Sequence, residues 1–314
     1  MGDAGGVHSI IQADAASRRD LIQVLGRMPD NQAPQVGFGN YLVAFIDLLG
    51  QREALRGQGI LPSVDTPDAH DAFKQTAIRS VGAILALHRT SEDVLKGYEN
   101  RNFDHLREVL PPDSHEILDD LAAGSISTQR WSDGLVHYYC MRGSNVVRDL
   151  AAYYALFTRT GSTALIGLAR QQPVRGGIEV SWGVELHKNE LYGAAVANAY
   201  EIESSVAQYP RIVIGKYAID YLRHVSQQPG DSIRTRFERG FATEVLDLTF
   251  QDYDGSYCVH YLSYKFMEGP DSPHMQVVPA ARAYIQSQLT EHRDSEKLRL
   301  RYEKLRDYFD RYAP

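Results

Sequence analysis

The chain has 314 residues, of which 43% are hydrophobic, so it is long and apolar enough for one large domain or two small ones. Its formal net charge of −7 excludes broad affinity for nucleic acid, and an anionic substrate would need local positive charge or a metal ion. The two cysteines, Cys140 and Cys258, lack zinc-type spacing, which argues against zinc and favours a reducing compartment. We find neither a secretory signal nor an apolar run of about 20 residues, so we expect a soluble cytoplasmic protein.

The first half of the chain is predicted to hold a strand, a helical region and a hairpin. Residues 1–35 are polar, with one candidate short helix at "RRDLIQVLGRM", and a strand follows from about Tyr41 to Ile46. Residues 68–123 are predicted to be helical because "DAFKQTAIRSVGAILALHR" repeats apolar residues every 3.6 positions, with a break at Pro111-Pro112. The segments "ISTQRWS" and "LVHYYCM" flank Asp133-Gly134, a dipeptide typical of tight hairpin turns.

The second half alternates helices with strands, which favours an α/β or α+β sandwich. We expect a helix at about residues 145–160, a hairpin from "VRGGIEVSWGVEL" and "NELYG", a helix at "AAVANAYEIESSVA" and a strand at "PRIVIG". From about Gln276 the chain is predicted to be helical and charged. An apolar stripe on its last helix is expected to pack on the body or on a second subunit, and consists of Leu298, Tyr302, Leu305 and Phe309.

One carboxylate, Asp47, lies in the middle of the apolar run from Leu42 to Gly50. An ionised carboxylate in such a setting is destabilising by several kcal/mol unless a partner compensates it. If the strand end brings Asp47 close to Asp133, the two carboxylates repel each other, and divalent cations would remove that repulsion and clamp a triphosphate. Two alternatives stay open at this point, in which Asp47 caps the following helix and Asp133 only makes its turn.

Six segments in this order carry a resemblance to a known family: "FIDLLG", "WSDGLV", "RGGI", "GAAVANAYEIE", "YPRIVI" and "DYDGSYCVHYL". The chain resembles the pyrimidine nucleotide cyclases of bacterial Pycsar antiphage systems, a branch of the class III adenylate/guanylate cyclase fold. The resemblance covers roughly residues 36–265 and implies an α+β, ferredoxin-like sheet with flanking helices, in which residues 68–123 are a helical insertion. Residues 1–35 and 266–314 would then be an N-terminal extension and a C-terminal helical extension.

The resemblance also implies roles for particular residues. Asp47 and Asp133 would be the catalytic, metal-binding aspartates, holding two Mn²⁺ or Mg²⁺ ions with the carbonyl of Leu48 as a further ligand. The remaining residues expected to contact the substrate are Phe45 near the base, the amides of Leu49, Gly50 and Gln51 at the β- and γ-phosphates, and the side chain of Arg52.

The implied reaction is attack of the ribose 3′-oxygen of UTP or CTP on the α-phosphate, which gives cUMP or cCMP and pyrophosphate. The family builds its sites between two catalytic domains, so a homodimer is expected. Its product would act on a separate effector as an antiphage signal. Neither nucleic acid nor a membrane is expected as a partner.

The sequence departs from the pattern of purine cyclases, which carry an Asn-x-x-x-Arg pair on the helix after the second hairpin. Ala197 and Glu201 stand in those places, while Tyr200 and Glu203 are interpreted as packing and dimer-contact residues. The usual "RGxIxxG" spacing is stretched, and a bulge around Ser181-Trp182 is expected to absorb the difference. The cation that neutralises the leaving pyrophosphate is left open, with Arg52, Arg175 and Arg211 as candidates.

Three rival interpretations are weighed against the cyclase. A diguanylate cyclase would show a GG(D/E)EF hairpin, which "RWSDGLV" does not match. A catalytically inactive, cyclase-like nucleotide sensor is favoured by the missing Asn and Arg and disfavoured by the presence of both aspartates. An interaction module built on the helical regions is the third.

Overall fold

The computed structural model describes residues 37–99, 104–123, 125–141, 143–263 and 273–313. The predicted N-terminal extension, including its candidate helix, lies outside these residues. Within the described ranges, no helix combines the length and the apolar composition needed to cross a bilayer.

Eight strands form one sheet, and its centre is the apolar strand that carries Asp47. The sheet order is β2-β3-β1-β4-β6-β8-β7, with β5 paired to β4. Residues 41–46 of β1 are buried throughout, as expected for a strand covered on both faces. The strands are β1 (Gly37–Leu48), β2 (Ser127–Trp131), β3 (Gly134–Met141), β4 (Val174–His187), β5 (Glu190–Tyr192), β6 (Ile212–Ile214), β7 (Thr249–Gln251) and β8 (Tyr257–Val259).

The described helices fill the connections between the strands and continue to the C-terminus. Two of them, α2 and α7, run into π-helical segments at Ile78–Gly82 and Ile202–Val206, and a 3₁₀ turn at Pro112–Ser114 lies at the predicted proline break. The helices are α1 (Gln51–Ala54), α2 (Pro67–Ala77), α3 (Ala83–Glu99), α4 (Asp104–Val109), α5 (His115–Ala122), α6 (Val146–Ala169), α7 (Ala194–Glu201), α8 (Lys216–Ser226), α9 (Ile233–Leu246), α10 (Pro273–Glu291) and α11 (Glu296–Tyr312).

The first four strands confirm the predicted α+β, ferredoxin-like sheet. The helices α2–α5 connect β1 to the β2–β3 hairpin, and α6 connects β3 to β4, which gives a β-α-β-β-α-β sequence. Strand β1 lies between β3 and β4 and is antiparallel to both. The C-terminal end of β1 and the N-terminal ends of β3 and β4 therefore lie side by side, and Asp47 is located there.

The two faces of β1 belong to different layers of the core. Leu42, Ala44 and Ile46 join the main core, which includes α6, while Val43 and Phe45 join a second core beneath α7. The C-terminal stripe packs on the main core as predicted, with its last three members, Tyr302, Leu305 and Phe309, buried.

Helix α6 is longer than predicted. It begins after Asn145, whose side chain accepts a hydrogen bond from Arg148 N at 3.2 Å, and it continues to Ala169 rather than to about residue 160. Gly161 and Ser162 do not end it, because apolar residues on either side are buried against the sheet and α10.

The first predicted hairpin forms, but its turn lies one residue earlier. Ser132 and Asp133 make the turn, with Ser132 at a φ of 52°, and Gly134 begins β3 opposite Trp131. A Cβ at Gly134 would lie 2.7 Å from the carbonyl oxygen of Ile46, so the glycine serves the close approach of β3 to β1 rather than the turn.

The second hairpin also forms, around Lys188-Asn189, but the expected bulge around Ser181-Trp182 is wrong. Ser181 and Trp182 pair in uninterrupted register with Tyr41 and Asn40. The register shift lies further along, between Glu185 and His187, where β4 pairs with the short strand β5. Because this shift comes after Gly183, β4 carries the stretched spacing from Arg175 to Gly183 without a bulge.

Candidate active site

Asp47 and Asp133 come together at the edge of the sheet. In β1, Asp47 pairs with Gly134 of β3 on one side and with Arg175 of β4 on the other. Asp133 directly precedes Gly134 in the hairpin turn, and its charge acts on Asp47. The pairing of β1 with the hairpin therefore brings together two aspartates that are 86 positions apart in the sequence.

The environment of Asp47 disfavours a bare negative charge. Partial burial, followed by the negative charges of Asp133 and Glu203, raises the pKa of Asp47 to about 7. The positive charge of Arg175 and a hydrogen bond from the backbone of Leu48 oppose this shift but do not cancel it. A cation bound between the carboxylates would relieve the repulsion.

A third carboxylate, Glu203, lies beside the pair, although the sequence indicated only a packing and dimer-contact residue. It is 1% exposed, in the π-helical segment after α7, and forms an ion pair with Arg175 Nε. The same guanidinium reaches Asp47, with Arg175 Nη2 4.0 Å from Asp47 Oδ2. Burial and the charge of Asp133 raise the pKa of Glu203, which Arg175 partly offsets. We call Asp47, Asp133, Arg175 and Glu203 the Asp47 cluster.

The turn after β1 corrects one predicted phosphate contact. The N–H of Leu49 donates a hydrogen bond to the carbonyl of Pro173 at 3.0 Å, so this amide is already used inside the fold. Gly50 adopts a φ of 93°, and a Cβ built on it would meet no atom within 4 Å. Gln51 begins α1. For Gly50 and Gln51 the phosphate contact stays a prediction, and the side chain of Arg52 lies outside the described residues.

An aromatic cavity of about 340 Å³ opens beside the cluster. Phe45, two residues before Asp47 on the same face of β1, forms its floor, with Trp131 and Tyr200 at ring-centroid distances of 6.1 and 5.2 Å. Ala197 lines the cavity, so the position where purine cyclases carry asparagine is apolar here.

The candidate cations differ in their surroundings. Arg175 belongs to the Asp47 cluster, whereas Arg211 is 3% exposed and bound by two other carboxylates. Its Nη2 donates to Asp254 Oδ2 at 2.6 Å, and its Nη1 pairs with Asp252. Arg211 is therefore a structural residue held away from the cluster, and Arg175 is the described candidate nearest to Asp47.

The donor set of the cluster suits a hard divalent ion. Carboxylate oxygens from Asp47 and Asp133 and a backbone carbonyl are the ligands that Mg²⁺ and Mn²⁺ prefer. The described residues contain no group of three or more His, Cys, Asp or Glu side chains in a metal-binding arrangement, and Glu203 is paired with Arg175. Two carboxylates with a raised pKa on Asp47 fit an ion whose remaining ligands come from backbone, water and substrate.

Comparisons with known proteins give little beyond the fold. No protein-family model matches this sequence, and no curated protein is significantly similar to it. The crystal structure of the adenylyl cyclase CyaB from P. aeruginosa aligns with 61% of this chain and 84% of its own, at 14% sequence identity and a TM-score of 0.34. Values this low do not establish the family of this chain.

Proposed function

We propose that this protein is a nucleotide cyclase that converts a pyrimidine nucleoside triphosphate, UTP or CTP, into its 3′,5′-cyclic monophosphate and pyrophosphate. The observation that carries the proposal is the meeting of Asp47 and Asp133 at one sheet edge, where the pKa of Asp47 is raised to about 7. Clustered carboxylates with perturbed pKa values are typical of functional sites.

The metal requirement follows from the same residues. Asp47, Asp133 and the carbonyl of Leu48 would hold two Mn²⁺ or Mg²⁺ ions. Such ions, when bound, neutralise the triphosphate and lower the pKa of the 3′-hydroxyl, so a dedicated protein base is not required. The aspartates would contribute position, because the ions that they hold would fix the α-phosphate against the end of β1.

The reaction is a phosphoryl transfer within one molecule. The 3′-oxygen forms a bond to the α-phosphorus as the bond from that phosphorus to the α,β-bridging oxygen breaks. The hydroxyl proton passes to solvent, and the departing pyrophosphate takes one up, so atoms and charge balance. Arg175 is the described cation placed to offset negative charge that develops at the cluster, since its guanidinium lies 4.0 Å from Asp47.

The aromatic cavity supports binding of the base. Its apolar walls suit a flat ring that stacks or packs edge-on, and a base bound beside Phe45 would lie two residues from Asp47 along β1. Ala197 offers no polar contact there, which is consistent with a site unlike that of purine cyclases. The pyrimidine preference and the role of the product as an antiphage signal for a separate effector rest on the sequence resemblance.

A two-fold homodimer belongs to the same proposal. Four aromatic side chains around the cavity are about half exposed or more, which is unusual for a free surface and typical of an interface: Trp131, Trp182, Tyr192 and Tyr200. A second copy that covers this patch would close the cavity and bury the rings.

One observation favours a second candidate function, a nucleotide sensor without turnover. Glu201 is exposed where purine cyclases carry the arginine that stabilises the transition state, so the described residues of α7 supply no replacement cation. A sensor would bind nucleotide and metal and form no product.

Incubation of the purified protein with each NTP and Mn²⁺ or Mg²⁺ separates the two candidates. The cyclase predicts cyclic mononucleotide and pyrophosphate in equal amounts from UTP or CTP, lost in Asp47→Asn and Asp133→Asn. Asp93→Asn on α3, an exposed aspartate, is the matched control and is expected to keep full turnover. Binding of UTP with no product from any NTP would favour the sensor, and turnover in Asp47→Asn would refute the site.

A further inference from the structure

A second cavity, of about 500 Å³, lies between the π-helical segment after α7 and the C-terminal helix α11. Arg175 lines this basic cavity, so a single side chain belongs both to it and to the Asp47 cluster. The proposed cyclase mechanism uses none of its other residues.

The lining of the basic cavity is strongly unbalanced in charge. Lys297, Arg301 and Lys304, spaced four and three apart, lie on one face of α11 and join Arg175, while Glu296 is the single carboxylate in the lining. Ser205 adds a hydroxyl group from the opposite wall, whereas the hydroxyl of the neighbouring Ser204 donates to the carbonyl of Glu201 at 3.3 Å.

Arg175 is paired with Glu203, but Lys297 and Arg301 are not neutralised by carboxylates of the described fold. Two other basic residues of α11 form surface pairs, Arg299 with Glu303 at 2.8 Å and Arg306 with Asp307 at 3.0 Å. In the parts of the chain that are described, no carboxylate makes an ion pair with Lys297 or Arg301.

The positive charges instead face one another. Burial, with the charge of Arg175 next in size, lowers the pKa of Arg301. The Nζ of Lys304 lies 4.1 Å from the ring centroid of Tyr253, which holds it at the edge of the cavity. Like charges gathered around a cavity of this size are relieved by an anion with several charges of its own.

We propose that the basic cavity binds a polyphosphate group through Arg175, Lys297, Arg301 and Lys304, with a hydroxyl donor from Ser205. Adjacent tetrahedral phosphates present several anionic oxygens to cations that arrive from opposite walls, which a single carboxylate does not. The group has two possible sources: the phosphate tail of a bound NTP, which rests on the proposed cyclase function, or free pyrophosphate, which does not.

Calorimetric titration distinguishes these sources. The protein is titrated with inorganic pyrophosphate alone and, separately, with α,β-methylene-UTP in the presence of Mn²⁺. In the double variant Lys297→Gln/Arg301→Gln we expect binding at least 10-fold weaker for one or both ligands, because two phosphate contacts are lost. The matched control, Arg299→Gln/Arg306→Gln, removes the same charge from the same helix and is expected to bind within twofold of the wild type.

The pattern of losses identifies the source. Weaker binding of the UTP analogue alone assigns the cavity to the substrate tail, weaker binding of pyrophosphate alone assigns it to free pyrophosphate, and weaker binding of both means that the cavity accepts either group. Pyrophosphate binding that depends on Lys297 and Arg301 in a protein that makes no cyclic nucleotide would support the cavity while the cyclase fails. Unchanged binding of both ligands, or an equal loss in the control, would overturn the proposal. Thermal unfolding checks that each variant is folded. Arg301→Lys keeps the charge, so it separates the loss of a charge from a change in the fold.

Discussion

Two clusters of acidic residues lie against arginines on neighbouring strands, and their electrostatic states are opposite. Arg211, just before β6, pairs with Asp252 and Asp254, and its Nη2 also donates to the carbonyl of Val206 at 2.8 Å. Hydrogen bonds, the largest from Arg211, hold the pKa of Asp254 at about 2. In the Asp47 cluster, by contrast, Asp47 and Glu203 share one guanidinium, Asp133 adds a further negative charge, and the pKa of Asp47 is raised to about 7.

The difference follows from how many donors each carboxylate receives. Asp254 accepts from Arg211 and from the backbone of Ser256, so its charge is satisfied inside the fold. Asp47 receives one backbone hydrogen bond and a guanidinium 4.0 Å away that is paired to Glu203. A carboxylate whose charge is met by hydrogen-bond donors stabilises the structure. A carboxylate that lacks such donors keeps the capacity to bind a cation.

The largest effect is expected from Asp47→Asn, which removes the charge that the fold does not satisfy. Cyclase turnover should fall by at least about 1,000-fold, because charge neutralisation at the triphosphate is lost. The free energy of unfolding should instead increase. A carboxyl whose pKa is raised destabilises the fold once it ionises, so at pH 8 without metal the variant should be more stable by about 1–2 kcal/mol.

Urea unfolding at pH 4 and pH 8, with and without Mn²⁺, checks this prediction. At pH 4 the carboxyl is protonated in the fold, and the gain in unfolding free energy should largely disappear. Mn²⁺ should stabilise the wild type and not the variant. A variant that is less stable than the wild type at pH 8 would show that Asp47 is satisfied, as Asp254 is.

The second prediction concerns the satisfied cluster. Arg211→Leu leaves Asp252 and Asp254 without their partner, and we expect a loss of about 3–5 kcal/mol in unfolding free energy. Asp252→Asn and Asp254→Asn added to Arg211→Leu should recover much of this loss, because no unpaired charge then remains. The measurement is denaturant unfolding at pH 7. A loss below about 1 kcal/mol would place Arg211 among surface ion pairs instead.

The strand that carries Asp47 and the hairpin beside Asp133 could be predicted from the sequence, because both depend on local patterns. The apolar run around Asp47 predicted a strand with an uncompensated charge, and the hairpin signal at Asp133-Gly134 predicted the neighbouring strand. These local signals left open whether the two aspartates meet, and only the family resemblance implied a shared site; β1 pairs with β3 in a register that brings them together. The α+β sheet followed from the same alternation of strands and helices.

The rest depends on long-range geometry that no local pattern encodes. Glu203 reaches the cluster because α7 continues into a π-helical turn over β4, and a sequence motif does not show that change of helical pitch. The Leu49 amide is used by Pro173, which lies 124 positions later in the sequence. The hairpin turn moved by one residue because Gly134 is required at the contact with Ile46, a tertiary demand that overrides turn preference.

Gly177 tests whether the Asp47 cluster depends on that turn. A Cβ at Gly177 would lie 2.2 Å from Ala199 O and 2.8 Å from Glu203 N, both backbone atoms that cannot move independently. Gly177→Ala should therefore lower the unfolding free energy by about 2 kcal/mol and reduce turnover, because the segment with Glu203 is displaced. Urea unfolding and the cyclase assay measure the two effects.

A matched glycine lies in helix α9. A Cβ at Gly240 would meet nothing within 4 Å, so Gly240→Ala should be neutral or stabilising by up to about 1 kcal/mol. Equal effects of the two substitutions would mean that the approach of α7 to β4 is not a steric requirement.

The smallest effect is expected at Glu179, a buried carboxyl on β4 that has neither a metal nor an arginine. Its Oε1 accepts hydrogen bonds from Val180 N at 2.8 Å and Ala218 N at 3.0 Å, yet burial raises its pKa to about 7. In the unfolded chain the carboxyl ionises near its ordinary value, so between about pH 4.5 and pH 7 folding favours the protonated form. Wild-type stability from this group is thus present at low pH and lost as the pH rises through 7.

Glu179→Gln keeps an oxygen for both backbone donors and removes the ionisation. Relative to the wild type, the variant should gain about 1–2 kcal/mol in unfolding free energy between pH 5 and pH 8, measured by urea unfolding at each pH. Glu53→Gln, at an exposed glutamate of α1, should leave the pH dependence of stability unchanged. If Glu179→Gln also left it unchanged, backbone donors alone would satisfy a buried carboxylate, and the raised pKa of Asp47 would need a cause other than its shortage of hydrogen-bond donors.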